Sequence, residues 1–367
     1  FSSTKIKKAG VIAVIHAASS VQFLEQKIRT ELYSKGLVAR FSFDDIAGQS
    51  PLLLQTIQKA RSFSKSDATV LLTGESGTGK ELFVHSIHQA SSRRNGPFVA
   101  INSASLPEHL LESELFGYEE GAFTGARKGG KLGFFELAHN GTLFLDEISE
   151  ITPRIQTSLL RVLQTKQVIR IGGSQVIPVD VRIIAAVNKN LKELVKKGEF
   201  RQDLFYRLNI LGLNIPPLRE RLIDIPFLAR LFQQNIADHY SKSVIPFSER
   251  VYLAFQSYKW PGNIRELENL VEKYVVICDD TYTLETAEEL AFSLLREDLE
   301  GESDPAKPTL TIPIASLQEM ENSILSQMEQ LINDKNHLAQ MLDVSRSTLW
   351  RKLKQACEND PSREIVN

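Results

Sequence analysis

The segment Gly74-Glu75-Ser76-Gly77-Thr78-Gly79-Lys80-Glu81 sets three glycines and a lysine at the spacing of a phosphate-binding loop. Glycines let successive backbone N–H groups turn inward around phosphate oxygens, and the start of a following helix adds partial positive charge. Lys80 supplies a point charge for the β- and γ-phosphates. The generic loop ends on Ser or Thr, whose hydroxyl binds Mg²⁺; here the last position is Glu81. Further on, Gly141-Thr142-Leu143-Phe144-Leu145-Asp146-Glu147 reads as a buried strand ending in two carboxylates. Asp146 is suited to hold Mg²⁺, and Glu147 to polarise an attacking water. Asn102 and Asn188 each close another apolar run, where an amide can meet a γ-phosphate or orient Glu147. A ligand-free Gly-rich turn or an acidic strand end is common singly. The combination favours nucleotide chemistry.

These groups need a scaffold that brings several strand ends to one edge. Apolar runs at 69–72, 98–101, 143–145 and 183–187 alternate with amphipathic stretches, including a helix expected over 82–90. That alternation predicts an α/β fold, a parallel sheet flanked by helices, over residues 41–216. The runs 168–171 and 176–179 flank Gly172-Gly173-Ser174-Gln175, a hairpin signal. After Pro216-Pro217 only helical spacing continues, predicting a helical lid over 217–296. Residues 297–315, rich in Asp, Glu, Pro and Ser, read as a flexible linker.

The chain from 316 to 367 returns to helical spacing. Helices are expected over 317–332, 336–342 and 346–355, with a turn at Asp343-Val344-Ser345. Two short helices joined this way predict an all-α helix-turn-helix domain. On the third helix, Ser347, Thr348 and Arg351 are placed for base edges, and Arg346 and Lys352 for phosphates. The formal net charge of -2 rules out a polycation, so any nucleic-acid contact must be local.

Only Cys278 and Cys357 are present, which excludes a disulfide framework and a CxxC metal knot and points to a reducing cytoplasm. No apolar run reaches bilayer length, so no membrane partner is expected. Lys5, Lys7 and Lys8 ahead of the run 9–15 loosely mimic a secretory leader, but that short run is read as a strand. His85 and His88 share a helix face without completing a zinc set, and are read as surface or packing residues.

Gly121-Ala122-Phe123-Thr124-Gly125-Ala126, preceded by Ser113-Glu114-Leu115-Phe116-Gly117-Tyr118, sharpens the reading. This GAFTGA signature resembles the bacterial enhancer-binding proteins, the AAA+ P-loop NTPases that activate sigma-54 polymerase. The glycines give hinge freedom, the alanines keep the loop slim, Phe123 offers one large apolar contact and Thr124 a hydroxyl. The resemblance covers residues 43–295. It resumes at Ser345-Arg346-Ser347-Thr348-Leu349-Trp350-Arg351-Lys352-Leu353-Lys354, similar to the family's Fis-type DNA-binding domain, with Asp343 where Gly is usual. A strand at 10–15 followed by Val21, Leu24, Ile28 and Leu32 at helical spacing resembles the end of a PAS sensor and its signalling helix, over 1–40.

The resemblance implies ATP and Mg²⁺ as cofactors. Gly74 to Lys80 would bind the nucleotide, with Glu81, the family's usual residue there, and Asp146 at the metal. Ile46 and Gly48, within Phe43-Asp44-Asp45-Ile46-Ala47-Gly48-Gln49-Ser50, would pack on the adenine. Gly121, Ala122, Phe123, Thr124, Gly125 and Ala126 would contact sigma-54, beside the 168–179 hairpin. Arg201 and Arg207, in a segment with Gln202 where Glu is common, would enter a neighbouring subunit's site. Arg265, within Trp260-Pro261-Gly262-Asn263-Ile264-Arg265-Glu266-Leu267, would report the γ-phosphate. Val187 stands where the family usually has Thr before the sensor asparagine, Asn188. The expected assembly is a hexameric ring, or a dimer when inactive. The expected partners are the sigma-54 RNA polymerase holoenzyme and upstream enhancer-like DNA. An AAA+ unfoldase or DNA motor would share the phosphate loop without needing GAFTGA. A non-catalytic repressor would not need Lys80, Asp146, Glu147, Arg201 and Arg207 intact.

Overall fold

A computed structural model describes residues 36–278 and 281–300, together with Ser323, Ile324, Met328, Thr348, Arg351 and Lys352. The expected sensor remnant before residue 36, most of the linker, Arg346, Ser347 and Cys357 lie outside the described residues. Thr348, Arg351 and Lys352 are helical. Contacts divide the chain into two units, the first ending at Leu295 and the second starting at Arg296.

In chain order the strands are β1 (Val70–Thr73), β2 (Phe98–Asn102), β3 (Gly117–Tyr118), β4 (Lys131–Leu132), β5 (Gly141–Asp146), β6 (Gln167–Val168), β7 (Ile177–Pro178), β8 (Val181–Val187) and β9 (Leu211–Asn214). Helices α1 (Pro51–Ser64), α2 (Lys80–Gln89), α3 (Glu108–Phe116), α4 (Phe134–Leu137), α5 (Pro153–Thr165), α6 (Leu191–Lys197) and α7 (Gln202–Leu208) belong to the α/β part. The lid holds α8 (Asp224–Tyr240), α9 (Glu249–Ser257), α10 (Asn263–Ile277) and α11 (Leu284–Glu300).

Five strands form one parallel sheet in the order β2-β5-β8-β1-β9. Side chains alternate across it because a strand has period two. Leu71, Val99, Leu143 and Ile183 pack on one face, and Leu72, Phe98, Phe144 and Ile184 on the other. Both faces are covered by helices, which explains why β8 is buried throughout rather than alternating. Burying each such side chain stabilises the fold by about 1.5–3 kcal/mol. The lid has its own core around Trp260, Phe255, Leu270 and Tyr274.

Several boundaries differ from the sequence reading, each for a local reason. β8 begins at Val181 and takes in Arg182, which is only 1% exposed. Its guanidinium donates to the carbonyls of Phe63 and Ser64 at 2.9 and 3.2 Å, satisfying the last turn of α1. β9 lacks a sequence signal because Gly212 and Asn214 interrupt its apolar pattern, yet it pairs with β1 along its length. The expected hairpin closes at only two positions, Val168 with Ile177 and Gln167 with Pro178. Ile171 leaves it to exchange hydrogen bonds with Gly117 and Glu119. Helix α11 runs to Glu300, beyond the expected start of the linker.

Candidate nucleotide site and exposed finger

The parallel sheet brings the C-terminal ends of β1, β2, β5 and β8 to one edge. The phosphate loop follows β1, Asn102 ends β2, Asp146 ends β5 and Asn188 follows β8. Asn102 and Asp146 are register partners, and Val187 is aligned with Thr73. Gly77 and Gly79 adopt positive φ of 74° and 93°, turning the loop into the start of α2 at Lys80. Lys80 Nζ donates to the carbonyls of Gly74 and Glu75, each at 2.8 Å. Thr78 Oγ1 donates to the Glu75 carbonyl at 2.9 Å. A cleft of about 540 Å³ opens beside the loop, lined among others by Gly74, Glu75, Asn188 and Lys189.

The charged groups here are poised by burial. Burial pushes the Lys80 ammonium below its ordinary range, against the pull of Asp146 and Glu147. Burial likewise raises Asp146, opposed by the Glu147 N–H and by Lys80. That N–H donates to Asp146 Oδ1 at 3.0 Å. Glu147 holds a left-handed backbone with φ 52°, uncommon for a non-glycine residue. Such strain concentrates at functional sites. The Glu81 carboxylate is exposed on the first turn of α2 and lies 3.6 Å from His85 Nε2. Among the described residues no cluster of three or more His, Cys, Asp or Glu is arranged to hold a metal. Mg²⁺ needs less, since it binds through one or two carboxylates plus substrate phosphates. The all-oxygen donors Asp146 and Glu81 fit that demand.

The lid grips the loop from the other side. Asn263, buried and at φ 55°, donates from Nδ2 to the Ser76 carbonyl at 3.0 Å and to Glu75 Oε2 at 3.1 Å. The Ile264 N–H donates to the Gly77 carbonyl at 3.0 Å. Arg265 Nη1 reaches Ser76 Oγ at 3.4 Å. Arg221, also buried, donates to the Thr78 carbonyl at 3.3 Å. Ile46 packs on the core of the α/β part and Ala47 on the lid core, so this segment joins the two. Gly48 follows, and buried Asp224 accepts the N–H groups of Gln49 and Ser50 at 2.6 and 2.7 Å. Sequence reasoning missed Asn263, Arg219, Arg221 and Asp224. Their partners lie far away in the chain, and only Asn263, beside Pro261-Gly262, carried a local sign of unusual backbone.

Asn102 lies at the site edge with its side chain turned to its own loop, whereas Arg201 and Arg207 sit apart. The Asn102 side-chain oxygen accepts the Ala104 N–H at 2.8 Å. Arg201 is exposed at the start of α7, paired with Asp203 at 2.8 Å. Arg207 donates to the Leu163 carbonyl at 3.2 Å. Among the described residues, neither arginine has a hydrogen bond to its own phosphate loop. His85 and His88 are both buried, so packing is their role. His88 Nδ1 lies 2.9 Å from Thr142 Oγ1 on β5, and burial depresses its pKa to about 4.

The Gly121–Ala126 segment projects from the short β3–β4 pair. Phe123 is 46% exposed, its ring edge-on to Tyr118 at 4.9 Å. The base of this finger is tied to the loop after β6. Ile171 N–H donates to the Gly117 carbonyl at 2.9 Å, and Glu119 N–H to the Ile171 carbonyl at 3.0 Å. Arg170 adds a forked pair to Glu136 at 2.8 and 2.9 Å and a contact to Glu119 at 3.1 Å.

Known proteins share this sequence pattern and this fold. A family described as the sigma-54 interaction domain matches residues 46–214, and the AAA+ ATPase lid domain matches residues 219–307. The transcriptional regulatory protein ZraR of Klebsiella oxytoca is 44% identical over 311 residues, 84% of this chain and 68% of ZraR. A signal-transduction and transcriptional-control protein of Clostridium beijerinckii is 46% identical over 319 residues, 86% of this chain and 49% of its own length. Several curated relatives are longer, and the chain spans about half their length. The crystal structure of NtrX from Brucella abortus in complex with ATP superposes with a TM-score of 0.64 at 32% identity, covering 95% of this chain and 75% of NtrX. The fold is that of an AAA+ P-loop NTPase with its lid, and the chain belongs to the family of regulators that carry the sigma-54 interaction domain.

Proposed function

We propose that the protein is a sigma-54-dependent transcriptional activator that hydrolyses ATP in an oligomeric ring and remodels sigma-54 RNA polymerase to open promoters. One observation carries the reading. The finger offers an exposed Phe123 between two glycines, while its base is hydrogen-bonded to a second loop of the same α/β unit. An apolar tip on such a support suits a contact made in one nucleotide state and withdrawn in another.

In this reading the Gly74–Lys80 loop cradles the phosphates and Lys80 neutralises them. Asp146 and Glu81 would hold Mg²⁺, which would supply positive charge against the phosphoryl oxygens. Glu147 polarises the water that attacks the γ-phosphorus, with Asn102 and Asn188 at neighbouring strand ends. Arg265 senses the γ-phosphate from the lid, and Ile46 and Gly48 face the adenine. Arg201 and Arg207 reach into the adjacent subunit's site, which fits their exposure on α7. A guanidinium in that role is worth about 10³–10⁵ in rate. The Fis-type end, through Arg346, Ser347, Thr348, Arg351 and Lys352, tethers the ring to upstream DNA and raises its concentration at the promoter. Among the described residues no helix is long and apolar enough to cross a membrane.

The test is promoter opening in vitro with sigma-54 polymerase, ATP and a Thr124→Ala variant. Opening is expected to fall about tenfold or more while ATP turnover stays within about twofold. Equal opening by variant and parent would remove the finger from the mechanism.

A further inference from the structure

Glu75 is the second residue of the phosphate loop, yet its carboxylate serves the lid. Its oxygens accept from Arg219 Nη2 at 2.5 Å and Nη1 at 2.7 Å, a bidentate fork. Oε2 also accepts from Asn263 Nδ2 at 3.1 Å. Meanwhile the Glu75 carbonyl accepts from Lys80 and Thr78. One residue therefore fixes the phosphate lysine through its main chain and the lid through its side chain.

The two lid partners come from different lid segments. Arg219 lies before α8, and Asn263 opens α10. They are joined by Asn263 Oδ1, which accepts the Leu218 N–H at 2.8 Å. The left-handed backbone of Asn263 persists only where its surroundings over-determine it. Its side-chain amide donates to Glu75, Ser76 and Pro261, which supplies that constraint. Arg265 stands two residues further, against Ser76. The position of Arg265 over the loop is thus set by the groups that hold Asn263 and Arg219.

We propose that Glu75 is a positioning residue that docks the lid on the phosphate loop and so places Arg265, without its carboxylate contacting nucleotide. The inference rests on the assignment of Arg265 to the γ-phosphate. Electrostatics favour it. A free carboxylate beside phosphates would repel them, whereas Arg219 holds the Glu75 carboxyl below its usual range and offsets its charge. Side-chain exposures of 42% for Arg219 and 40% for Glu75 make the pair a minor contributor to stability. Its bidentate geometry makes it an orienting contact.

The full chain is tested as Glu75→Gln, Arg219→Gln and the double variant, reading kcat and KM for ATP. Kd values for ATP and ADP come from displacement of a fluorescent nucleotide. Each single variant is expected to lower the preference for ATP over ADP about three- to tenfold, the scale of one oriented ion pair. ADP affinity should stay within about twofold in Arg219→Gln, and the double variant should match Glu75→Gln, which already lacks the Arg219 fork along with the contact to Asn263. Arg219→Lys, which keeps charge but loses the fork, should restore the preference only in part. Weakened ADP binding in Glu75→Gln but not in Arg219→Gln would place the carboxylate on the nucleotide and overturn the proposal. Additive losses in the double variant would overturn it too. Arg265→Ala separates the two levels. If it shifts the preference while the Glu75 and Arg219 variants do not, the docking role alone falls. If it leaves the preference untouched, the γ-phosphate assignment falls and the docking role with it.

Discussion

Glycine is used in opposite ways at the two functional ends of this molecule. In the phosphate loop a Cβ on Gly77 would lie 2.2 Å from the Gly262 carbonyl oxygen and 3.2 Å from Arg265 Cβ. In the finger a Cβ on Gly121 or Gly125 would meet nothing within 4 Å. All three residues have positive φ. At Gly77 the missing side chain admits the lid, and at Gly121 and Gly125 it leaves the backbone free. The nucleotide end is therefore a packed joint between subdomains, whereas in the finger the two glycines stand in open space while Ala122 packs against Gly172 and Phe123 against Tyr118. Movement is cheap at the second place and costly at the first, which is the asymmetry a device converting phosphate chemistry into displacement of a tip requires.

Gly77→Ala is the hardest test of that asymmetry. The new methyl meets a backbone oxygen that no rotamer can move, and its φ is strained as well. Left-handed strain of about 1–2 kcal/mol and overpacking of about 1–3 kcal/mol add in the same direction. The variant should lose about 2–5 kcal/mol in denaturant unfolding, along with most ATP binding. A variant with parental stability and ATP affinity would mean that lid and loop are not held together as the structure describes.

The α/β subdomain behind the joint has its own signature in acid. His88, near the C-terminal end of α2, contacts Thr142 at the start of β5 and is 1% exposed. Its folded pKa of about 4 lies below the ordinary imidazole value of 6.5. The unfolded chain therefore takes up a proton at a pH where the folded one does not. Stability from the neutral ring is fully present above pH 6.5 and is lost as pH falls toward about 4. The total is of order 3 kcal/mol. Denaturant midpoints of the parent and His88→Gln, followed from pH 7 to 4.5, should converge as the pH drops. A constant gap would mean that His88 does not carry this titration.

The same contrast explains what the sequence revealed. The phosphate loop and the Asp146–Glu147 pair were legible because their chemistry demands fixed local spacing. Four of the five sheet strands were legible because both faces are buried and the runs are apolar. Arg182 hid the start of β8 because a buried guanidinium capping α1 looks, in one dimension, like a surface charge. Gly212 and Asn214 hid β9, an edge strand paired on one side only. The lid contacts of Glu75, Arg221 and Asp224 were illegible for another reason. Each joins residues more than a hundred positions apart, and a single chain carries no signal for such pairs. The finger was readable as a motif, but its support by Ile171 was not, since the local pattern favoured an ordinary hairpin.

The smallest expected effect falls on the finger. Gly125→Ala adds a methyl in open space, so only the left-handed backbone at φ 94° opposes it, at about 1 kcal/mol. For a domain of this size that lowers Tm by about 2–4 °C. ATP turnover should stay near parental, because the loop shares no contact with Lys80 or Asp146. Promoter opening should slow more than turnover, because a stiffer hinge resists the tip's excursion. A Tm loss as large as that of Gly77→Ala would mean that Gly125 is packed in solution, and the distinction between joint and free tip would fail at its weakest point. A slowed ATPase with normal opening would be equally damaging, since it would make the finger part of the chemistry rather than its readout.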